Sequence, residues 1–134
     1  MKNGLQVGDQ AKVTATVTPD MFAQFEGNIV HRAYSTVAMV YHMEWASRKL
    51  ILPYLEEMEE GVGGAVSLKH IFPTAENTVV NIIATVTEIT PTCIVTNVEV
   101  RNHERVIGVG EVKQGIVLKE EMNEKLRQSL VQNK

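Results

Sequence analysis

Three residues could do chemistry together: Thr36, Glu44 and His70. Glu44 sits inside a long, mostly apolar run, with Thr36 eight positions before it and His70 26 positions after it. A carboxylate can serve as a nucleophile or a general base, and an imidazole can carry protons near neutral pH. A hydroxyl beside them can orient a partner by hydrogen bonding, or simply cap a helix. No metal is expected, because the four histidines form neither an H-x-x-x-H nor an H-E-x-x-H spacing. No cofactor is called for.

The run that carries Glu44 reads as a helix. Ser35 or Thr36 can cap its start, and Pro53 ends or kinks it. Wound at about 100° per residue, it sets His42 and Lys49 together as the expected solvent stripe, with Glu44 roughly 150° away near Val37, Val40 and Ile51. A carboxylate among aliphatic side chains is costly unless it is paired. Arg48, one turn on, is the bland partner, since an ion pair there would make Glu44 structural. Eight helical positions span about 12 Å, so Thr36 and Glu44 cannot bond each other directly. They would touch opposite ends of one substrate, or approach His70 from different sides.

His70 falls in a strand-like run, residues 65–74, on one face with Val66, Leu68 and Phe72. A lone histidine there is commonly a satisfied core residue. A sheet wrapped on the helix would bring its apolar face to that of Glu44, and that reading makes the two one site. His42 and His103 are expected at the surface, with His31 undecided.

The remaining elements follow from pattern. Residues 10–18 alternate as a strand, with Val13, Ala15 and Val17 on one side. Residues 20–34 have no clean period and read as a loop with short helical pieces that could cover a site. Glu56, Glu57, Glu59 and Glu60 read as a solvated turn, and Gly61, Gly63 and Gly64 as a tight turn rather than a phosphate loop. Strands are expected over residues 78–90, 93–102 and 105–118, joined by short connections into an antiparallel meander. Leu118, Met122, Leu126 and Leu130 mark a short amphipathic helix at the end. The expected fold class is α+β, an antiparallel sheet wrapped around one long central helix, over one domain spanning residues 1–134. Such a single-layer wrap leaves sheet edges and part of the helix uncovered, so dimerisation is expected.

Composition bounds the function. The chain has 134 residues, 44% of them hydrophobic and 22% charged, which suits one ordinary globular core. A net charge of -3 and the lack of a Lys/Arg cluster argue against nucleic acid. The single cysteine, Cys93, excludes an internal disulfide framework, fits a reducing cytoplasm, and reads as a small core residue. The first residues lack a signal-peptide core and no apolar stretch is long enough to span a membrane, so a cytoplasmic location is expected.

Several stretches together carry a family likeness. They are Thr36; Met43, Glu44, Trp45 and Ala46; Pro53, Tyr54, Leu55 and Glu56; the glycines at 61, 63 and 64; His70; and Ile107, Gly108, Val109 and Gly110. The opening residues, with Val7 and Gly8, and residues 123–128 match as well. On these the sequence resembles the hotdog-fold acyl-CoA thioesterases, most closely the fluoroacetyl-CoA thioesterase-like group, over nearly its whole length. The resemblance implies a hotdog fold, a homodimer or higher homo-oligomer, and hydrolysis of an acyl-CoA substrate. It implies that Thr36, Glu44 and His70 are catalytic, and that Gly63 (or Gly64, if the loop shifts by one) and the position of Gln114 contact the substrate. The chain departs from the group at two points. Gln114 stands where the group has an arginine, and Val30 is the nearest counterpart of its gating aromatic residue.

Two mechanisms remain open at this point. Glu44 either attacks the thioester carbonyl to give a mixed anhydride or activates a water. His70 then assists proton transfer, Thr36 orients a partner, and a backbone N–H near Gly63 binds the oxyanion. A non-catalytic acyl-CoA-binding module on the same fold is the alternative. A hotdog dehydratase fits the spacing least well.

Overall fold

The structure, a computed structural model, describes residues 1–130. Its sheet has five antiparallel strands in the order β1-β5-β6-β7-β4. These are β1 (Gln10–Thr16), β4 (Glu59–His70), β5 (Val79–Ile89), β6 (Cys93–Arg101) and β7 (Val106–Leu118). Period-two patterning makes the inner face. Val80, Ile82, Ala84 and Val86 are fully buried along β5, and the register sets Ile82 against Val100, Ala84 against Val98 and Val86 against Thr96. Each fully buried aliphatic of this size stabilises the fold by about 1.5–3 kcal/mol.

One long helix, α1 (Thr36–Ile51), crosses that face. Met39, Met43, Ala46 and Leu50 recur at three- and four-residue steps and are buried against the sheet. Close approach depends on two glycines of β7. A Cβ at Gly108 would lie 2.9 Å from Met39 Cε, and one at Gly110 2.6 Å from Met43 Cε. Two polar groups in this layer satisfy each other: the Ser47 hydroxyl donates to the Met43 carbonyl at 2.8 Å and lies 2.8 Å from Thr96 Oγ1.

Before α1, the chain forms a hairpin of β2 (Phe22–Phe25) and β3 (Asn28–Tyr34), where a loop was expected. Its outward side chains, Phe25 and Ile29 among them, are exposed, so the hairpin carries no buried alternation to read. Gly27, at a positive φ, makes the turn. After α1, Leu52–Tyr54 forms a 3₁₀ turn through Pro53. The terminal helix, α2 (Lys119–Ser129), buries none of its residues, and its apolar stripe is left open.

Five other expectations need correction. His42 is buried, not on a solvent stripe, because Tyr34 partners it. Glu44 is exposed, because it lies over edge strand β4, beyond which the sheet has no further strand; Val37 in the same sector is 74% exposed. Glu59 and Glu60 are the half-buried start of β4, held by the terminal amine at 2.9 Å and by Arg48 at 2.8 Å. Gly61, Gly63 and Gly64 lie within that strand, which ends at His70. Cys93 is half-buried at the start of β6 rather than in the core. His103 is exposed as expected, and so is His31.

Candidate active site

Ser35 caps α1, its hydroxyl accepting from the Ala38 N–H at 3.0 Å. The Thr36 hydroxyl is therefore free of capping duty. It lies 2.9 Å from Nδ1 of His70, the last residue of edge strand β4. The other ring nitrogen, Nε2, is buried without a hydrogen-bond partner among the described residues. Burial pushes the His70 imidazole below its ordinary pKa, with the Phe72 backbone acting weakly the other way. The ring is thus neutral near pH 7, with one nitrogen held and one uncommitted.

Glu44 sits two turns further along α1, about 12 Å from Thr36 along the helix axis. The bland pairing with Arg48 is not made, because Arg48 turns to Glu60. Glu44 instead lies over Gly63, where an added Cβ would be 3.4 Å from the carboxylate Oε1. The strand has a bulge at this point that shifts the register between Gly63 and Ala65. Gly63 pairs across the ladder with Gln114, which is buried on β7 with its Nε2 unpartnered. The five residues singled out from the sequence therefore form two groups within one chain. Thr36 meets His70 at one end of β4, and Glu44, Gly63 and Gln114 gather at the other.

The sequence does not mark Tyr34. It precedes the cap residue, is fully buried, and its hydroxyl lies 2.6 Å from His42 Nδ1. Its ring also meets the His70 ring edge-on, with centroids 6.5 Å apart. A cleft of about 510 Å³ opens between β2 and the start of α1, lined by Phe22, Phe25, Thr36, Val37 and His42 among others. A larger one of about 660 Å³ lies on the outer sheet face, bordered by Glu99 and Glu111, and touches none of these residues. Among the described residues no group of three His, Cys, Asp or Glu side chains could hold a metal ion, and no helix is long and apolar enough to cross a membrane.

A long helix lying across a five-stranded antiparallel sheet of this order defines a hotdog-fold protein. Residues 17–120, which include Thr36, Glu44, Gly63, His70 and Gln114, match the model of the fluoroacetyl-CoA-specific thioesterase (FlK) family. The chain belongs to that family of thioester hydrolases. The fluoroacetyl-CoA thioesterase of Streptantibioticus cattleyicolor is 27% identical over 139 residues, 96% of each chain. A Thermus thermophilus hypothetical protein described as a thioesterase superfamily member is 35% identical, with a TM-score of 0.90 over 93% of both chains. A solved variant of the fluoroacetyl-CoA-specific thioesterase is 25% identical, with a TM-score of 0.88 over 96% of this chain and 100% of that one.

Proposed function

We propose that this chain hydrolyses an acyl-CoA thioester to a carboxylic acid and free CoA, with Glu44, His70 and Thr36 as its working residues. The observation that carries the reading is the Thr36–His70 contact at 2.9 Å, with Nε2 left uncommitted, in a chain of a thioesterase family. The Glu44 carboxylate either attacks the carbonyl carbon, expelling the thiolate and leaving a mixed anhydride that water opens, or takes a proton from the water that attacks. His70, neutral at the outset, takes up the proton released by that water and passes it to the thiolate, and Thr36 fixes the imidazole. A backbone N–H at the glycine bulge binds the developing oxyanion. Gln114 lies behind Gly63 and contacts the substrate.

A homodimer completes the site in this reading. The helix sector around Glu44 exposes Val37, Tyr41 and Trp45, and β4 is a sheet edge with one side unpaired. A two-fold pairing of β4 with its copy, centred at Val66 and Ser67, sets Gly63 opposite the partner's His70. Glu44 of one protomer then approaches the Thr36 and His70 pair of the other, which one chain alone keeps apart. Sedimentation tests this assembly. A dimer at micromolar concentration agrees with it, and a stable monomer overturns it.

The activity itself is tested by free-thiol release from a panel of acyl-CoA thioesters. Turnover of at least one supports a hydrolase. Binding with negligible turnover of all of them replaces this reading with an acyl-CoA-binding module.

A further inference from the structure

The hydrolysis proposed above uses neither Tyr34 nor His42, yet both are buried and they bond each other at 2.6 Å. Hydrogen-bond accounting assigns the proton. The Tyr34 phenol is pushed up by burial and stays protonated, and His42 is pushed down and stays neutral. If His42 Nδ1–H were the donor, the Tyr34 O–H would be buried with no acceptor among the described residues. The hydroxyl therefore donates to Nδ1, and the His42 proton sits on Nε2, at the wall of the cleft that Thr36 also lines.

The consequence lies at the other side of the Tyr34 ring. That ring stacks on His42 at 5.7 Å between centroids and meets the His70 ring edge-on at 6.5 Å, both within the range of favourable aromatic contact. Beyond the Nδ1 contact with Thr36 and the weak influence of the Phe72 backbone, the His70 ring is fixed by packing. Tyr34 supplies that packing, and its own position is fixed at both ends: its N–H bonds the Thr74 carbonyl at 2.8 Å, and its hydroxyl bonds His42. We propose that Tyr34 is a positioning residue for His70 and that His42 holds Tyr34 in place. The pair acts through the imidazole and touches no substrate atom. The inference rests on the thioesterase reading for its kinetic consequence only.

The test compares His42→Leu, His42→Asn and Tyr34→Phe with the wild-type chain, by kcat and KM on the best acyl-CoA substrate and by the ¹⁵N signals of the His70 imidazole at neutral pH. His42→Leu should lower kcat by about tenfold or more with KM nearly unchanged, since small misplacements of a working group cost up to about 10²-fold. It should also shift or broaden the His70 signals. His42→Asn places an amide oxygen where Nδ1 was and should restore both. Tyr34→Phe keeps the ring, loses the hydroxyl, and should reproduce His42→Leu, so it decides if the leucine variant fails to fold. Folded variants with wild-type kcat and unmoved His70 signals overturn the proposal. So does lowered activity with unmoved signals and no rescue by asparagine. If the wild-type chain turns over no acyl-CoA thioester, the hydrolase reading fails separately, and the His70 signals still decide the positioning role.

Discussion

The Thr36 hydroxyl meets His70 Nδ1 at 2.9 Å, although 34 residues separate the two in sequence. The contact joins the first residue of the long helix to the last residue of an edge strand. It is available because Ser35, not Thr36, caps the helix.

This division of labour gives two opposite outcomes from neighbouring residues. Thr36→Val keeps the shape and removes the bond to His70. It should lower kcat by about 10- to 100-fold and leave the melting temperature nearly unchanged, while Thr36→Ser keeps most activity. Ser35→Ala removes the cap and should cost about 1 kcal/mol of stability with kcat per folded molecule preserved. Thermal unfolding beside steady-state kinetics on the three variants separates the roles.

The missing side chain of Gly63 is predicted to matter only through Glu44. An added Cβ there meets the Glu44 carboxylate at 3.4 Å and nothing else within 4 Å. Gly63→Ala fits at ordinary contact distance and should restrict the carboxylate rather than displace it, lowering kcat by less than about tenfold. Its melting temperature should stay close to that of the wild-type chain. A loss of stability without a loss of kcat would assign the glycine to the strand rather than to the site.

Gln114 tests selectivity. It is buried opposite Gly63, and its Nε2 has no partner among the described residues. A neutral amide offers neither the charge nor the fork of donors of an arginine. Gln114→Arg should raise the preference for fluoroacetyl-CoA over acetyl-CoA, measured as the ratio of kcat/KM, while lowering the melting temperature through the buried charge. An unchanged ratio would show that this position does not govern the choice.

Much of this was legible because it rests on local period and spacing. The alternation of Val80, Ile82, Ala84 and Val86 and the three-and-four spacing of Met39, Met43, Ala46 and Leu50 state directly which faces meet. The sequence spacing of Thr36, Glu44 and His70 marked the residues worth asking about. What was not legible depends on tertiary partners. A helical wheel puts Glu44 beside Val37, but it does not say that the sheet ends at that sector, with β4 as its edge. His42 reads as a surface residue until a tyrosine hydroxyl from the hairpin is seen on its Nδ1. The hairpin escaped notice because most of its side chains between Phe22 and Tyr34 face solvent, so burial imposes no alternation on them.

Glu44 carries the central claim. Its carboxylate is exposed, its helical neighbour Arg48 is committed to Glu60, and it lies over Gly63. Nothing in that arrangement needs a negative charge for stability. Glu44→Gln keeps the shape and removes the nucleophile or base. The decisive measurement is kcat of Glu44→Gln on the best acyl-CoA substrate, taken with its thermal unfolding. The account predicts a melting temperature near that of the wild-type chain and a kcat lower by a factor of about 10² or more. A folded Glu44→Gln protein with full activity would contradict it.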